Sequence, residues 1–522
     1  MSHLSSLNKY FWKYRKHLFA GIFFVIVSNY FAVLGPEVTG YVVGEVQKHL
    51  PGARLSGKSQ TYNGAIVLIS DWLKDADFTK LVITCSVIIL LVALVRGVLM
   101  FFMRQTLIVM SRHIEYDLKN EVYGHYQKLH AGFFRSNSTG DLMNRIAEDV
   151  SRVRMYVGPA IMYLVNLVAL ISFCVYNMLS KNVWLTCIVL APLPLLALTI
   201  YFVNTIIHKK SEKVQQMLSS LTTNAQESYS GIRVIKSFIQ ERAMLGFFKN
   251  NSEEYRQNAV GLAKVEAIYF PAMTLMIGLS TLLTIAFGGY IALNHPNKAG
   301  LIVEFVMYIN MLTFPVSAIG LTASMIQRAA ASQKRINEFL QTSPAIKNEE
   351  APLDISLKGN IRFDNVNFIY PHTGIHALKD FTLDIKAGEK VAIVGRTGSG
   401  KSTIAQLLLR MYDVQSGEIN IDGVNIKKWN SGNLRSQIGF VPQDMFLFSD
   451  TIENNIHFGN TEEETDTDAA SFARMSSIHQ EIMGFPEEYD TVVGERGVTL
   501  SGGQKQRISI ARALAKMPNM LI

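Results

Sequence analysis

The chain has 522 residues, too many for one hydrophobic core, so at least two domains are expected. Only 18% of the residues are charged and 49% are hydrophobic, a balance that argues against an ordinary soluble protein and for membrane spans. The net charge of +8 lies largely beside apolar stretches, as in cytoplasmic loops, which argues against a nucleic-acid partner.

Cys85, Cys174 and Cys187 fall inside apolar runs, show neither metal-ligand spacing nor a disulfide framework, and are read as packing residues. The first apolar stretch is long and lacks a small-residue cleavage site, so no cleavable signal peptide is expected.

In chain order, residues 5–18 set Lys9, Lys13, Arg15 and Lys16 beside Tyr10, Phe11, Tyr14 and Leu18. The spacing suits a basic amphipathic helix on the inner membrane surface or a positive flank to the first span; either puts the N-terminus in the cytoplasm. Six apolar stretches follow, near 18–46, 81–110, 157–179, 183–207, 268–293 and 301–325, each long enough to cross a bilayer. Pro36, Glu37 and Glu45 interrupt the outer half of the first. Ser180-Lys181-Asn182 forms a tight hairpin and Asn294–Gly300 a short link, whereas 111–156 and 208–267 are long and basic. The long connections therefore face the cytoplasm, as does the C-terminus. Some charges fall within the spans, Arg96 in the second and Glu304 in the sixth among them. Arg96 is either a structural pair or part of a substrate path, and Glu304 is expected near enough to the outer surface to stay hydrated.

Residues 1–340 are thus read as an all-α membrane domain of six helices, 341–358 as a linker, and 359–522 as a soluble α/β domain. Ile361, Phe363, Val366 and Phe368 are spaced as a strand with one pattern shift, suggesting a bulge; Leu378–Ile385, Gly417–Ile421 and Ile438–Val441 read as further strands. Val391–Val394 is an all-apolar run suited to a buried parallel strand. The acidic run Glu462-Glu463-Glu464 reads as a solvated helix start.

Directly after that run, Gly395-Arg396-Thr397-Gly398-Ser399-Gly400-Lys401-Ser402-Thr403 fits GxxxxGK[ST], with a helical pattern behind it. Glycines there let backbone N–H groups turn onto a β-phosphate, and the helix N-terminus adds partial positive charge. Lys401 would reach the β/γ-phosphates and the Ser402 hydroxyl would hold Mg²⁺. About a hundred residues on, Leu500-Ser501-Gly502-Gly503-Gln504 forms a second anion site, with Ser501 capping a helix and two glycines exposing their amides.

With both motifs present, the chain resembles the ATP-binding cassette superfamily, whose signature is LSGGQ, and is similar in particular to bacterial lipid A flippases and multidrug exporters. The resemblance covers essentially the whole chain. It implies that Tyr370 stacks on adenine, that Gln443 touches Mg²⁺ and the attacking water, and that Ser501 meets the γ-phosphate of ATP held by a partner subunit. It further implies that Thr491–Gly497, the segment around Gly140 and Asp141, and Glu227–Phe238 couple ATPase to membrane domain. In the superfamily an Asp–Glu pair and a later His complete the site, and this chain stops short of them. It is therefore read as truncated before the Walker B carboxylates, binding ATP weakly and not hydrolysing it.

The function implied is ATP- and Mg²⁺-dependent export or flipping of a lipid, lipid-linked precursor or drug across the bacterial inner membrane by a homodimer. The alternatives are a subunit of a heterodimeric multidrug or peptide exporter, and an ATP-gated regulator or channel.

Overall fold

The computed structural model describes residues 2–48, 64, 66–67, 78–294, 298–349, 351–460, 468–494 and 500–522. They form two compact units, Met1–Val122 with Asn144–Phe339, and Tyr123–Met143 with Leu340–Ile522.

The first unit is helical. Among the described residues five helices are long and apolar enough to cross a membrane: Arg15–Gln47, Thr79–Lys128, Thr139–Lys181, Glu241–Asn294 and Gly300–Leu340. The remaining expected span, 183–207, is helical in two pieces, Val183–Leu190 and Pro192–Ser230, broken at Ala191. The missing N–H of Pro192 suits a helix start, so the chain restarts there. The hairpin before it is built as expected: Asn182 is extended and its side chain caps the next helix, accepting from the Leu185 amide at 3.0 Å. Pro36 lies within the helix Arg15–Lys48 without ending it.

The core of this unit gathers Phe305, Tyr308 and Ile309 against Cys174, Met178 and Leu185. Cys85 is buried as expected, but Cys187 is exposed and does not pack inside the described chain. Apolar side chains such as Leu90, Leu94 and Phe101 point outward, as lipid-facing residues of a span do.

Charge burial departs from the hydropathy reading. Glu304 is fully buried, not hydrated. Lys181 lies 3.1 Å from Glu37 and 3.8 Å from Glu304, and the Tyr308 hydroxyl donates to Glu304 at 3.1 Å. A Cβ on Gly300 would come within 2.1 Å of the Gly40 carbonyl oxygen, so glycine is required where these two helices touch, one turn before Glu304. Asp149 is also buried, accepting from the Ser332 hydroxyl at 2.8 Å and from Arg335 Nε at 2.9 Å. Near the N-terminus, Lys13 pairs with Asp117 at 2.6 Å.

In the second unit β1 (Ile361–Ile369) pairs antiparallel with β2 (His376–Ile385) and β3 (Ser416–Ile421), and β4 (Val424–Asn425) continues the sheet in the order β2-β1-β3-β4. The register shifts between Phe363 and Val366, where Asn365 takes φ +47°, the expected bulge. β5 (Ile438–Gly439) pairs parallel with β6 (Met520–Leu521).

The run Val391–Val394 is not a buried strand: it is unpaired, and Val394 is 91% exposed. A parallel strand needs hydrogen-bonded neighbours, and β5 and β6 are bonded to each other instead. Two cores result. One packs Phe363, Phe368, Leu407, Ile419 and Trp429 beneath the sheet, and the other packs Ile452, Phe472, Ile482, Leu500 and Ile508 among helices. Glu462–Glu464 and Glu495–Gly497 lie outside the described residues.

Candidate functional site

The loop Gly395–Gly400 runs into the helix Lys401–Leu408. Gly398 and Gly400 take φ +82° and +87°, and a Cβ on Gly400 would sit 2.4 Å from the Ala377 carbonyl oxygen. Only glycine makes this turn without strain. Gly395, Arg396, Thr397, Gly398 and Ser399 are exposed, and Gly400 is half-buried. Lys401 Nζ donates to the Gly395 and Arg396 carbonyls at 2.9 and 2.8 Å, so the ammonium is folded over the loop its phosphates would fill. The amides of Lys401 and Ser402 begin the helix and have no intrahelical acceptor. The Ser402 side chain is exposed and makes no hydrogen bond among the described residues.

Thr403, the last residue of the motif, lies in the first turn of that helix. It is buried, and its hydroxyl is 2.9 Å from the Tyr370 hydroxyl, which also donates to Gln406 Oε1 at 3.1 Å. Helical geometry is the cause: three residues on, Gln406 shares the Thr403 face, which turns toward the core while Ser402 turns to solvent. Thr403 therefore positions Tyr370. Sequence reasoning missed Gln406, although its spacing from Thr403 would have flagged it. It also missed Arg135, whose guanidinium lies 5.9 Å from the centre of the Tyr370 ring. Burial raises the Tyr412 phenol pKa, and Arg135 partly opposes that.

The second motif opens the helix Gly502–Ala515. Ser501 is its N-cap: its Oγ accepts from the Gln504 amide at 3.3 Å, while the Ser501 amide donates to Gln504 Oε1 at 2.8 Å. This reciprocal capping box leaves the Gly502 and Gly503 amides unbonded at an exposed helix start. Leu500 is buried in the helical core and anchors the motif. Gln443 is exposed just past β5. Among the described residues no hydrogen bond joins the phosphate loop to Gln443 or to Leu500–Gln504.

Comparison with known proteins matches both parts of the chain. Residues 18–316 match the ABC transporter transmembrane region and residues 378–522 match the ABC transporter domain. The chain belongs to the ATP-binding cassette (ABC) transporter family. It is 34% identical over 410 residues to the probable multidrug resistance ABC transporter ATP-binding/permease protein YheI of Bacillus subtilis, covering 78% of this chain and 70% of that protein. Identity is also 34% over 435 residues to the multidrug resistance-like ATP-binding protein MdlA of Escherichia coli, 83% of this chain and 73% of that one. Over its full length it is 29% identical to the uncharacterized ABC transporter ATP-binding protein YknU of Bacillus subtilis, covering 85% of it.

This ABC transporter is thus a membrane protein of an ATPase family that drives export. The family uses Mg²⁺ with its nucleotide. Its residues fit that ion: the Ser402 hydroxyl and the Gln443 carboxamide are exposed oxygen donors that no described residue engages, and Mg²⁺ favours a few such ligands beside phosphate oxygens.

Proposed function

We propose that this chain is one subunit of a homodimeric exporter that binds MgATP at Gly395–Ser402 and moves hydrophobic or amphipathic compounds, lipids or drugs, out of the bacterial inner membrane, with both termini cytoplasmic. The observation that carries this reading is an exposed phosphate loop and a separately capped second anion site in a chain whose other unit is built of membrane-length helices. The names of YheI and MdlA support a drug-like cargo. One chain carrying both motifs intact supports pairing with a second copy of itself.

Tyr370, held upright by Thr403 and Gln406, offers its ring to adenine. The loop amides and Lys401 hold the phosphates, which displace the loop carbonyls from the ammonium. Mg²⁺ would be held by the Ser402 hydroxyl and the Gln443 carboxamide and would supply charge neutralisation when bound. The Ser501 hydroxyl and the Gly502 and Gly503 amides meet the γ-phosphate held by the other subunit. Most of the catalysis in such a site is positioning and charge stabilisation.

Inside-out membrane vesicles carrying the protein expressed from its whole gene test the reading. They should accumulate a fluorescent amphiphile with MgATP and not with Lys401→Ala. Ion currents in place of accumulation would overturn it in favour of a channel, and dependence on a second related subunit would replace the homodimer.

A further inference from the structure

Between the helices of the first unit lies a cavity of about 320 Å³. Its size is at the lower end of ligand pockets, which run from about 300 to 1,000 Å³. Its polar wall is Ser28, Asn29, Arg96, Asn166 and Asn310, and its apolar wall includes Met103, Leu170 and Phe314.

Arg96 is the only charged residue in that wall. Among the described residues it makes no hydrogen bond or ion pair, and its Nε is buried without an acceptor. It lies about 12 Å of helix rise from Arg104 and about 22 Å from Leu81, so it is deep in the apolar stretch. A charge there without a partner is costly. The same unit shows how it treats a cation that is purely structural: Lys181 is set against two carboxylates. Arg96 has been given none.

Neighbouring groups add donors beside it. Asn29 Nδ2 donates to Asn166 Oδ1 at 2.9 Å, and the Asn166 N–H₂ remains a donor. The Ser28 hydroxyl adds another. Asn29 and Asn310 spend amide N–H groups on the Val25 and Val306 carbonyls and keep oxygens as acceptors, so the charge preference of the wall comes from Arg96, and beside it Met and Phe offer apolar contact.

We infer that this cavity is a binding site for an anionic amphiphile, with the carboxylate or phosphate head on Arg96, Asn166 and Ser28 and the apolar tail along Met103, Leu170 and Phe314. The inference rests on the export reading and names the substrate class for it. A cationic compound would meet Arg96 as a like charge and is disfavoured.

The test uses the whole protein in phosphatidylcholine nanodiscs, with protein-free discs as background. Radiolabelled dodecanoate, dodecyl phosphate, dodecanol and dodecylammonium share one tail and differ in head. The two acids should bind at least about tenfold more tightly than the alcohol, since a hydrogen bond to a charged group contributes that much. Which acid binds better identifies a carboxylate or a phosphate head. Arg96→Gln should bring acids and alcohol to parity, with a Tm no lower than that of the wild type, and Arg96→Lys should restore part of the preference. Equal acid binding by Arg96→Gln, or preference for the ammonium, would overturn the inference. If Arg96→Gln does not fold, the order of head groups in the wild type decides alone. ATP-dependent movement of dodecanol without acid preference would defeat this inference and leave the export reading standing. Acid binding at Arg96 with no ATP-dependent movement of any probe would do the reverse.

Discussion

The two units of this transporter treat polar groups in opposite ways. In the membrane unit Glu37, Lys181 and Glu304 are buried and set against one another, and Asp149 is buried against Ser332 and Arg335. In the nucleotide unit the groups assigned to chemistry, Ser402, Gln443, Gly502 and Gly503, are exposed and open to a ligand. A charge in hydrocarbon must be neutralised by the protein itself, whereas a phosphate site in water must keep its donors free. A buried charge set against opposite charges is stabilised within the protein, and one set against none is open to a ligand. Among the described residues Arg96 is a cation of the membrane unit that follows the nucleotide unit's rule.

The largest effect expected from this contrast is at Lys181. Lys181→Met leaves Glu37 and Glu304 as adjoining buried carboxylates, and removal of one partner from a buried ion cluster costs about 3–5 kcal/mol. Thermal unfolding in nanodiscs should show a large loss of Tm. An unchanged Tm would mean the cluster is hydrated and the contrast false.

Gly400→Ala comes next. It forces an alanine to φ +87° with its Cβ 2.4 Å from the Ala377 carbonyl oxygen. Strain of about 1–3 kcal/mol is expected, together with loss of nucleotide binding that exceeds the loss of stability. If both fall in proportion, the loop has no ligand-specific geometry.

These effects separate what was legible in the sequence from what was not. The phosphate loop and the capping box are contiguous, so their chemistry could be read from spacing, and the β1 bulge showed as one slip in an alternating pattern. The ion cluster joins residues 37, 181 and 304, and spacing carries no trace of it. Hydropathy could not show that Glu304 is buried, because the partner that makes this tolerable lies in a distant hairpin. Val391–Val394 has the composition of a buried strand, but composition does not supply the neighbour strands that would bond it. The ordering of Thr403 inward and Ser402 outward was available from helical periodicity, since Thr403 and Gln406 share a face.

A smaller effect is expected at Ser501. Ser501→Ala removes one half of the capping box and should destabilise the helix Gly502–Ala515 by about 1 kcal/mol. Hydrogen exchange should quicken at its first turn and not in the phosphate loop, which has no side-chain cap. Exchange quickening equally in both would join two sites that no hydrogen bond connects.

The smallest is at Asp422, in the turn between β3 and β4. Burial pushes its carboxyl up, but the amides of Lys358, Asn360 and Gly359 outweigh that and hold it below the usual carboxylate range. A lowered folded value gives stability that is present above the unfolded value of about 3.9 and lost as pH falls through the folded one. Corrected for intrinsic rates, protection of the Lys358 and Asn360 amides should hold above about pH 4 and fall below it, given that reference value. Asp422→Asn should flatten the dependence, and an unaltered profile in that variant would place its cause elsewhere.

The central claim is that the exposed loop around Lys401 is where nucleotide enters the transport cycle. Equilibrium binding of MgATP to the whole protein in nanodiscs, wild type beside Lys401→Ala, tests it most directly. The account predicts saturable binding that the substitution weakens by at least about tenfold, the worth of a charge-assisted hydrogen bond, with Tm unchanged in the absence of nucleotide. Equal binding by the two proteins would contradict it.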